Sequence, residues 1–309
     1  MQLTSPDRQS TTGPIIGVVP AHNESRTIAH VVEGLLWHCD EVIVLDDGST
    51  DDTHEIAKAA GATVRRSDRS AGYSSAVGNG FDLAANRGAR CVVTVDGDCA
   101  HILDDTAKLI DAHLAGNASL TLGSRFLDLD HSVASTKILA NRVASVLVAK
   151  LFPGRPAVSD VATGFRVYDG TLAQELIGEA SRVPRFGLCY ASIVHALRRG
   201  LSIQSEKTTV RYDGSQLLST RRSEFDDLLS TLVMLTDGAA RCKFEALRVA
   251  VRNLNPIKFE LAREVIYALP IREADGYLFQ AQSELYRRII RCDPEGTHLF
   301  RETGEDLAT

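Results

Sequence analysis

Short apolar runs alternate with longer amphipathic ones from residue 15 to residue 123, the pattern of a parallel sheet whose strands are joined by crossover helices. The runs Ile15 to Val19, Val42 to Leu45, Ala62 to Val64, Cys91 to Val95 and Ser119 to Leu122 are expected strands. Between them, Glu24 to Trp37, Asp52 to Ala60, Ser74 to Arg87 and Leu103 to Ala115 carry helical periodicity. The strands of such a sheet end on one common edge, and ligands sit in the crevice at that carboxyl edge. The polar residues just after each run are therefore where chemistry is expected.

The pattern changes after Arg125. A helix is expected from about Ser135 to Leu151, followed by the turn-rich FPGRP, the segment SDVATGFRVYDG, and an apolar helix from Leu188 to Arg199 that Gly200 ends as a C-cap. Two strand-like pieces follow, Leu201 to Gln204 and Thr208 to Tyr212. Beyond Gly214 the pattern is helical, over roughly Glu224 to Leu235, Ala240 to Val251, Lys258 to Ala268 and Tyr277 to Arg291. The expected division is a frayed tail (1–13), an α/β domain (14–213) and a helical extension (214–309) that packs on the core or mediates homo-oligomerisation.

Charge and composition narrow the partners. Lys and Arg total 34 against 40 for Asp and Glu, a net charge of -6, so no general attraction to nucleic acid or anionic membrane is expected. An anion must be held by a local cluster of cations. No run approaches the ~20 apolar residues of a transmembrane helix: Val143 to Phe152 is interrupted by Lys150, and Leu228 to Leu235 is flanked by Asp226, Asp227 and Asp237. The first residues lack the basic start and apolar centre of a signal peptide, so a cytosolic chain, at most peripheral to a membrane, is expected. The six cysteines are scattered without a C-x-x-C pair, which signals neither a zinc site nor a disulfide framework.

The candidate chemistry lies at the strand ends. The first reads VPAHNES and the second VLDDGSTDDT, where Asp46 and Asp47 are placed to accept hydrogen bonds from a ribose or a base, or else simply to begin a turn. The fourth ends VTVDGDCAH, which puts Asp96 and Asp98 one residue apart at the lip of the same sheet. Two carboxylates so spaced suit a hard divalent cation that in turn binds a diphosphate.

The ordered series VPAHNES, VIVLDDGSTDDT, SAGYSSAVGNG, VVTVDGDCAH, LGSRF and DVATGFRVY resembles the family 2 glycosyltransferases of GT-A fold, over residues 14–213. Within them it is similar to the polyprenol-phosphate sugar transferases of the dolichol-phosphate mannose synthase type. The resemblance implies a Rossmann-like, mostly parallel sheet with helices on both faces, and an inverting, metal-dependent transfer from a UDP or GDP sugar to a polyprenyl phosphate. It assigns Pro20, Asn23, Glu24, Asp46, Asp47, Gly72 and Asp96 to the donor nucleotide, with Asp47 at the base. Asp96 and Asp98 would hold Mg²⁺ or Mn²⁺, and Asp98, Arg125 and Arg166 would be the catalytic residues. Arg125, Arg142 and Arg166 would form the acceptor-phosphate cluster, although Arg142 equally suits a solvated helix face and Arg166 a structural pair with Asp160. Gly72, Ala76 and Gly80 match small residues of the family, for which close backbone packing is a sufficient reason.

Three departures fall on the metal and acceptor side. Ala100 stands where relatives carry a glutamine after the D-x-D, Cys189 and Tyr190 where a glutamate is usual, and Gln216 where a lysine is common, with Arg221 and Arg222 nearby. His101 keeps the family's residue and is a cap, a surface contact, or a base if the acceptor is a hydroxyl. A soluble acceptor with the same donor chemistry, or a non-catalytic nucleotide-sugar binder, are the alternatives.

Overall fold

The computed structural model describes residues 12–127, 141, 144–149, 151–155, 158–211, 222–236 and 241. Its elements run β1 (Ile15–Ala21), α1 (Ile28–Leu36), β2 (Glu41–Asp46), α2 (Thr53–Ala59), β3 (Thr63–Arg66), α3 (Tyr73–Ala85), β4 (Cys91–Thr94), α4 (Asp105–Ala115) and β5 (Leu120–Ser124). They continue with β6 (Arg166–Asp169), α5 (Gly170–Ala180), α6 (Gly187–Arg199), β7 (Ile203–Lys207) and α7 (Arg222–Leu235). The seven strands form one sheet in the order β3-β2-β1-β4-β6-β5-β7. All neighbours are parallel except β6, which is antiparallel to both β4 and β5.

The alternation along each strand explains the layers. Ile16, Val18, Ile43 and Leu45 point into a core shared with α3, α5, α6 and α7, whereas Ile15, Val19, Val42 and Val44 point into a second core beneath α1, α2 and α4. Gly80 of α3 is needed for close approach, since a Cβ there would lie 2.4 Å from Cγ1 of Val18. Gly200 ends α6 with φ 68, as the C-cap reading requires.

Three features position the site. Strand order reverses at β1, whose neighbours β2 and β4 open a crevice at their carboxyl ends. Because β6 runs antiparallel, its first residue, Arg166, pairs with Thr94 at the end of β4 and with Leu122 near the end of β5. That register delivers the 160–165 segment to the same edge. The amino terminus of α6 comes there too, because Ser74 Oγ of α3 accepts from Leu188 N–H at 3.0 Å and Ser74 N–H donates to Arg185 O at 2.7 Å.

The structure corrects the expected pattern in the second half of the domain. VYDG holds a short antiparallel strand and the start of α5, and of the strand expected at Thr208 to Tyr212 the described residues, 208–211, make a single bridge, from Val210 to His101. The helices expected beyond residue 236, and the expected oligomer contact, fall outside the described residues. Among the described residues no helix is long and apolar enough to cross a membrane.

Candidate active site

The loops after β1 and β2 are laced together. Asn23 adopts φ 60, its N–H donates to Ser49 Oγ at 2.9 Å, and its Oδ1 accepts from Thr50 N–H at 2.8 Å. Glu24 N–H donates to Thr53 Oγ1 at 2.8 Å. Asp46 is fully buried; its Oδ1 accepts from Ser49 N–H at 2.9 Å, and Arg66 Nε lies 3.5 Å from its Oδ2. Of the two readings of Asp46 the geometry therefore favours the turn: it secures this loop and presents no open oxygen to a nucleotide. Asp47, just past the carboxyl end of β2, keeps 7% of its surface open and accepts from Ser70 Oγ (2.7 Å), Ala71 N–H (2.7 Å) and Gly72 N–H (2.9 Å). Although burial works the other way, these donors hold its carboxyl below the ordinary value. Pro20 closes β1 under the loop, its carbonyl 3.2 Å from where a Cβ on Gly97 would sit.

Three carboxyl groups crowd the next recess. Asp96, Asp98 and half-buried Glu24 converge because Thr27 Oγ1 donates to Gly97 O at 2.8 Å, tying the D-x-D loop to the start of α1. Burial first, then the charge of Asp98, pushes both Glu24 and Asp96 up to about 7. The Asp96 side chain keeps 37% of its surface open, enough to meet a ligand. Gly164 is what leaves it room: a Cβ there would lie 2.4 Å from Asp96 Oδ1, and Thr94 Oγ1 fixes Gly164 O at 2.7 Å. Cys99 bends the loop through φ 57, an uncommon backbone conformation for a residue with a side chain.

The donor set fits a divalent cation in one particular way. Among the described residues no three His, Cys, Asp or Glu side chains form a ready cage. Two carboxylates completed by phosphate oxygens and water are, however, a usual coordination for Mg²⁺. The accumulated negative charge, seen in the raised Asp96 and Glu24, is what such a cation would neutralise.

On the acceptor side the structure separates the three arginines. Arg125 donates through Nε (2.7 Å) and Nη2 (2.9 Å) to the two oxygens of fully buried Asp160, and its charge acts on Asp96. Arg166 is buried without exposed surface, and donates to Thr163 O, Cys189 O, Ser192 Oγ and Val161 O at 2.7 to 2.9 Å. Arg166 is thus closed to a phosphate in this structure, and Asp160 acts on it through charge while its hydrogen bonds go to these other groups. Arg142 lies outside the described residues, as do Gln216 and Arg221. His101 is buried rather than a surface contact, 4.0 Å from Asp96 Oδ2, and burial pulls it down to about 3, so it stays neutral and is a poor base.

Two functional candidates escaped the sequence reading. Asn141 clamps both sides of Asp160, donating to Ser159 O at 2.7 Å and accepting from Val161 N–H at 2.9 Å. Its signal was its place beside Arg142 in ANR, but no local pattern marks a side chain that reaches 20 residues onward. Exposed Arg211 is pinned beside the D-x-D loop by its N–H to Ala100 O at 2.8 Å.

Residues 18–168 match the model of the family described as Glycosyl transferase family 2. A UDP-N-acetylglucosamine--dolichyl-phosphate N-acetylglucosaminyltransferase of Methanococcus voltae is 27% identical over 60% of this chain and 81% of its own length. A polyprenol monophosphomannose synthase of Mycolicibacterium smegmatis is 27% identical over 60% of this chain and 73% of its own. Among solved structures, glucosyl-3-phosphoglycerate synthase from Mycobacterium tuberculosis superposes with a TM-score of 0.53 at 24% identity, covering 71% of this chain and 80% of the other. The mostly parallel sheet, the D-x-D at its carboxyl edge and these matches together make the chain a glycosyltransferase of family 2 with the GT-A fold.

Proposed function

We propose that the chain transfers a sugar, with inversion, from a UDP or GDP sugar to a polyprenyl phosphate, and that Asp96 and Asp98 hold Mg²⁺ or Mn²⁺. The observation that carries this reading is the gathering of the Asp96, Asp98 and Glu24 carboxyls at the end of β4 and the start of α1, with the charge of Arg125 near enough to act on Asp96. Relatives named for dolichyl-phosphate and polyprenol substrates support the lipid acceptor. Asp47 and Gly72 border the nucleotide, and Pro20, Asn23 and Glu24 shape its floor.

In the reaction an acceptor phosphate oxygen attacks the anomeric carbon from the face opposite the diphosphate. The new C–O bond forms as the bond to the diphosphate breaks, and the nucleoside diphosphate departs with the electron pair. A phosphate monoester is already largely ionised near neutral pH, so no protein base is needed and neutral His101 is not used as one. Arg125 orients the phosphate, and Asp160 and Asn141 hold Arg125 in place. A bound divalent cation supplies charge neutralisation for the leaving diphosphate. The enzyme would meet its lipid at the bilayer surface.

The test is turnover. Purified protein with UDP or GDP sugars and Mn²⁺ should release nucleoside diphosphate, faster when a short polyprenyl phosphate is added. Turnover only with a soluble acceptor would replace the lipid, and no release under any condition would leave a binder of nucleotide sugars.

Cation affinity should also depend on pH. Asp96 and Glu24 hold protons up to about 7, and a cation must displace them. Mn²⁺ affinity should therefore weaken as pH falls from 8 to 6, by up to about tenfold per unit for each proton displaced. Calorimetric titration at the two ends of that range reads this directly; equal affinities would mean that the carboxyls were already ionised.

A further inference from the structure

We propose that Ser70 makes the donor site selective for a uracil edge over guanine, by occupying an acceptor position on Asp47. The inference rests on the donor-site reading above. An ionised carboxylate offers about four lone-pair positions, two on each oxygen. On Asp47, Oδ2 receives both Ser70 Oγ–H at 2.7 Å and Gly72 N–H at 2.9 Å, while Oδ1 receives Ala71 N–H at 2.7 Å. Oδ2 is thus saturated, and Oδ1 keeps one position.

Each base presents a different edge to that remainder. Uracil offers one N3–H between two carbonyls; a single bond to Oδ1 satisfies it, and the two donors covering Oδ2 screen the flanking carbonyl from the carboxylate charge. Guanine offers N1–H and the N2 amino group side by side, which a carboxylate satisfies only with one acceptor on each oxygen. With Oδ2 filled, one guanine donor loses its carboxylate acceptor, and a missing partner of this kind discriminates between the two bases. Adenine and cytosine place a ring-nitrogen acceptor beside their amino group and turn it toward the carboxylate.

Ser70 is the member of this set that a substitution can remove cleanly. Its side chain is exposed, whereas the other two donors are backbone N–H groups. Ser70→Ala reopens one position on Oδ2 and leaves the loop tied through Ala71 and Gly72.

The experiment is titration calorimetry of the wild-type protein and Ser70→Ala with UDP and with GDP, Mn²⁺ present. Wild type should bind UDP at least about tenfold more tightly than GDP. Ser70→Ala should narrow that ratio by about threefold or more, chiefly through tighter GDP binding, with its melting temperature within a few degrees of wild type. GDP binding as tight as UDP in wild type, or an unchanged ratio in a folded Ser70→Ala, overturns the role of Ser70. Binding of neither nucleotide to folded wild type overturns the donor-site reading itself.

Discussion

Asp98→Asn is expected to lower sugar transfer by about a thousandfold while leaving the ligand-free protein as stable as wild type or more so. The loss follows from removing one of the two carboxylates proposed to hold the cation; several kcal/mol of leaving-group stabilisation go with it, and about 1.4 kcal/mol is tenfold in rate. The gain in stability has a separate cause. Asp98 is the charge that, after burial, does most to push Glu24 and Asp96 up. These groups ionise near 4.5 and 3.8 when unperturbed, so between those values and about 7 the folded chain holds protons that the unfolded chain has lost. Their crowding therefore subtracts stability as pH rises through that range. Relieving it is worth about 1 kcal/mol after allowance for solvent screening, or about 2–4 °C in Tm at pH 8. Thermal melts without metal and a nucleotide-release assay test both halves. Retention of more than a tenth of the activity would move the essential carboxylate elsewhere, and a fall of several degrees in Tm would show that Asp98 is structural.

Arg166→Met should do the reverse and act first on the fold. The methionine fills similar volume but leaves Thr163 O, Val161 O, Cys189 O and Ser192 Oγ without the donor they share. Removing one side of a fully buried polar network costs about 3–5 kcal/mol, which for a domain of this size lowers Tm by roughly 10 °C. Arg166→Lys, which keeps the charge but supplies fewer donors in a different geometry, should recover part of the loss. A phosphate ligand at an open surface would give the opposite pattern, with acceptor KM raised and Tm unchanged. That pattern for Arg166→Met would restore Arg166 to the acceptor cluster.

Both variants touch residues that sequence reasoning grouped as chemistry, and only one of them is open to a ligand. The D-x-D was legible because its surroundings were: the apolar CVVT run of β4 places the acids that follow it at the carboxyl edge. Arg166 was not legible, because TGFR looks like a basic loop until β6 pairs on both sides and closes α6 over it. β6 itself begins with that arginine and has only four residues, so its apolar signal is short and its charge misleading. β7 was expected two residues early because IQSEK is polar; it is a strand through its parallel pairing with β5 rather than through its own composition.

By itself the sequence determined the βα alternation, the two-faced strands and the carboxyl edge on which acidic residues gather, because these follow from local periodicity and from the one-handed connection of parallel strands. Tertiary structure decided which charges remain available. The pairing of Arg125 with Asp160, the burial of Arg166 and His101 and the occupied lone pairs of Asp47 all depend on contacts between segments far apart in the chain. A side chain's charge is written in its residue type; whether that charge faces a ligand or the core is fixed only when the partners that saturate it arrive.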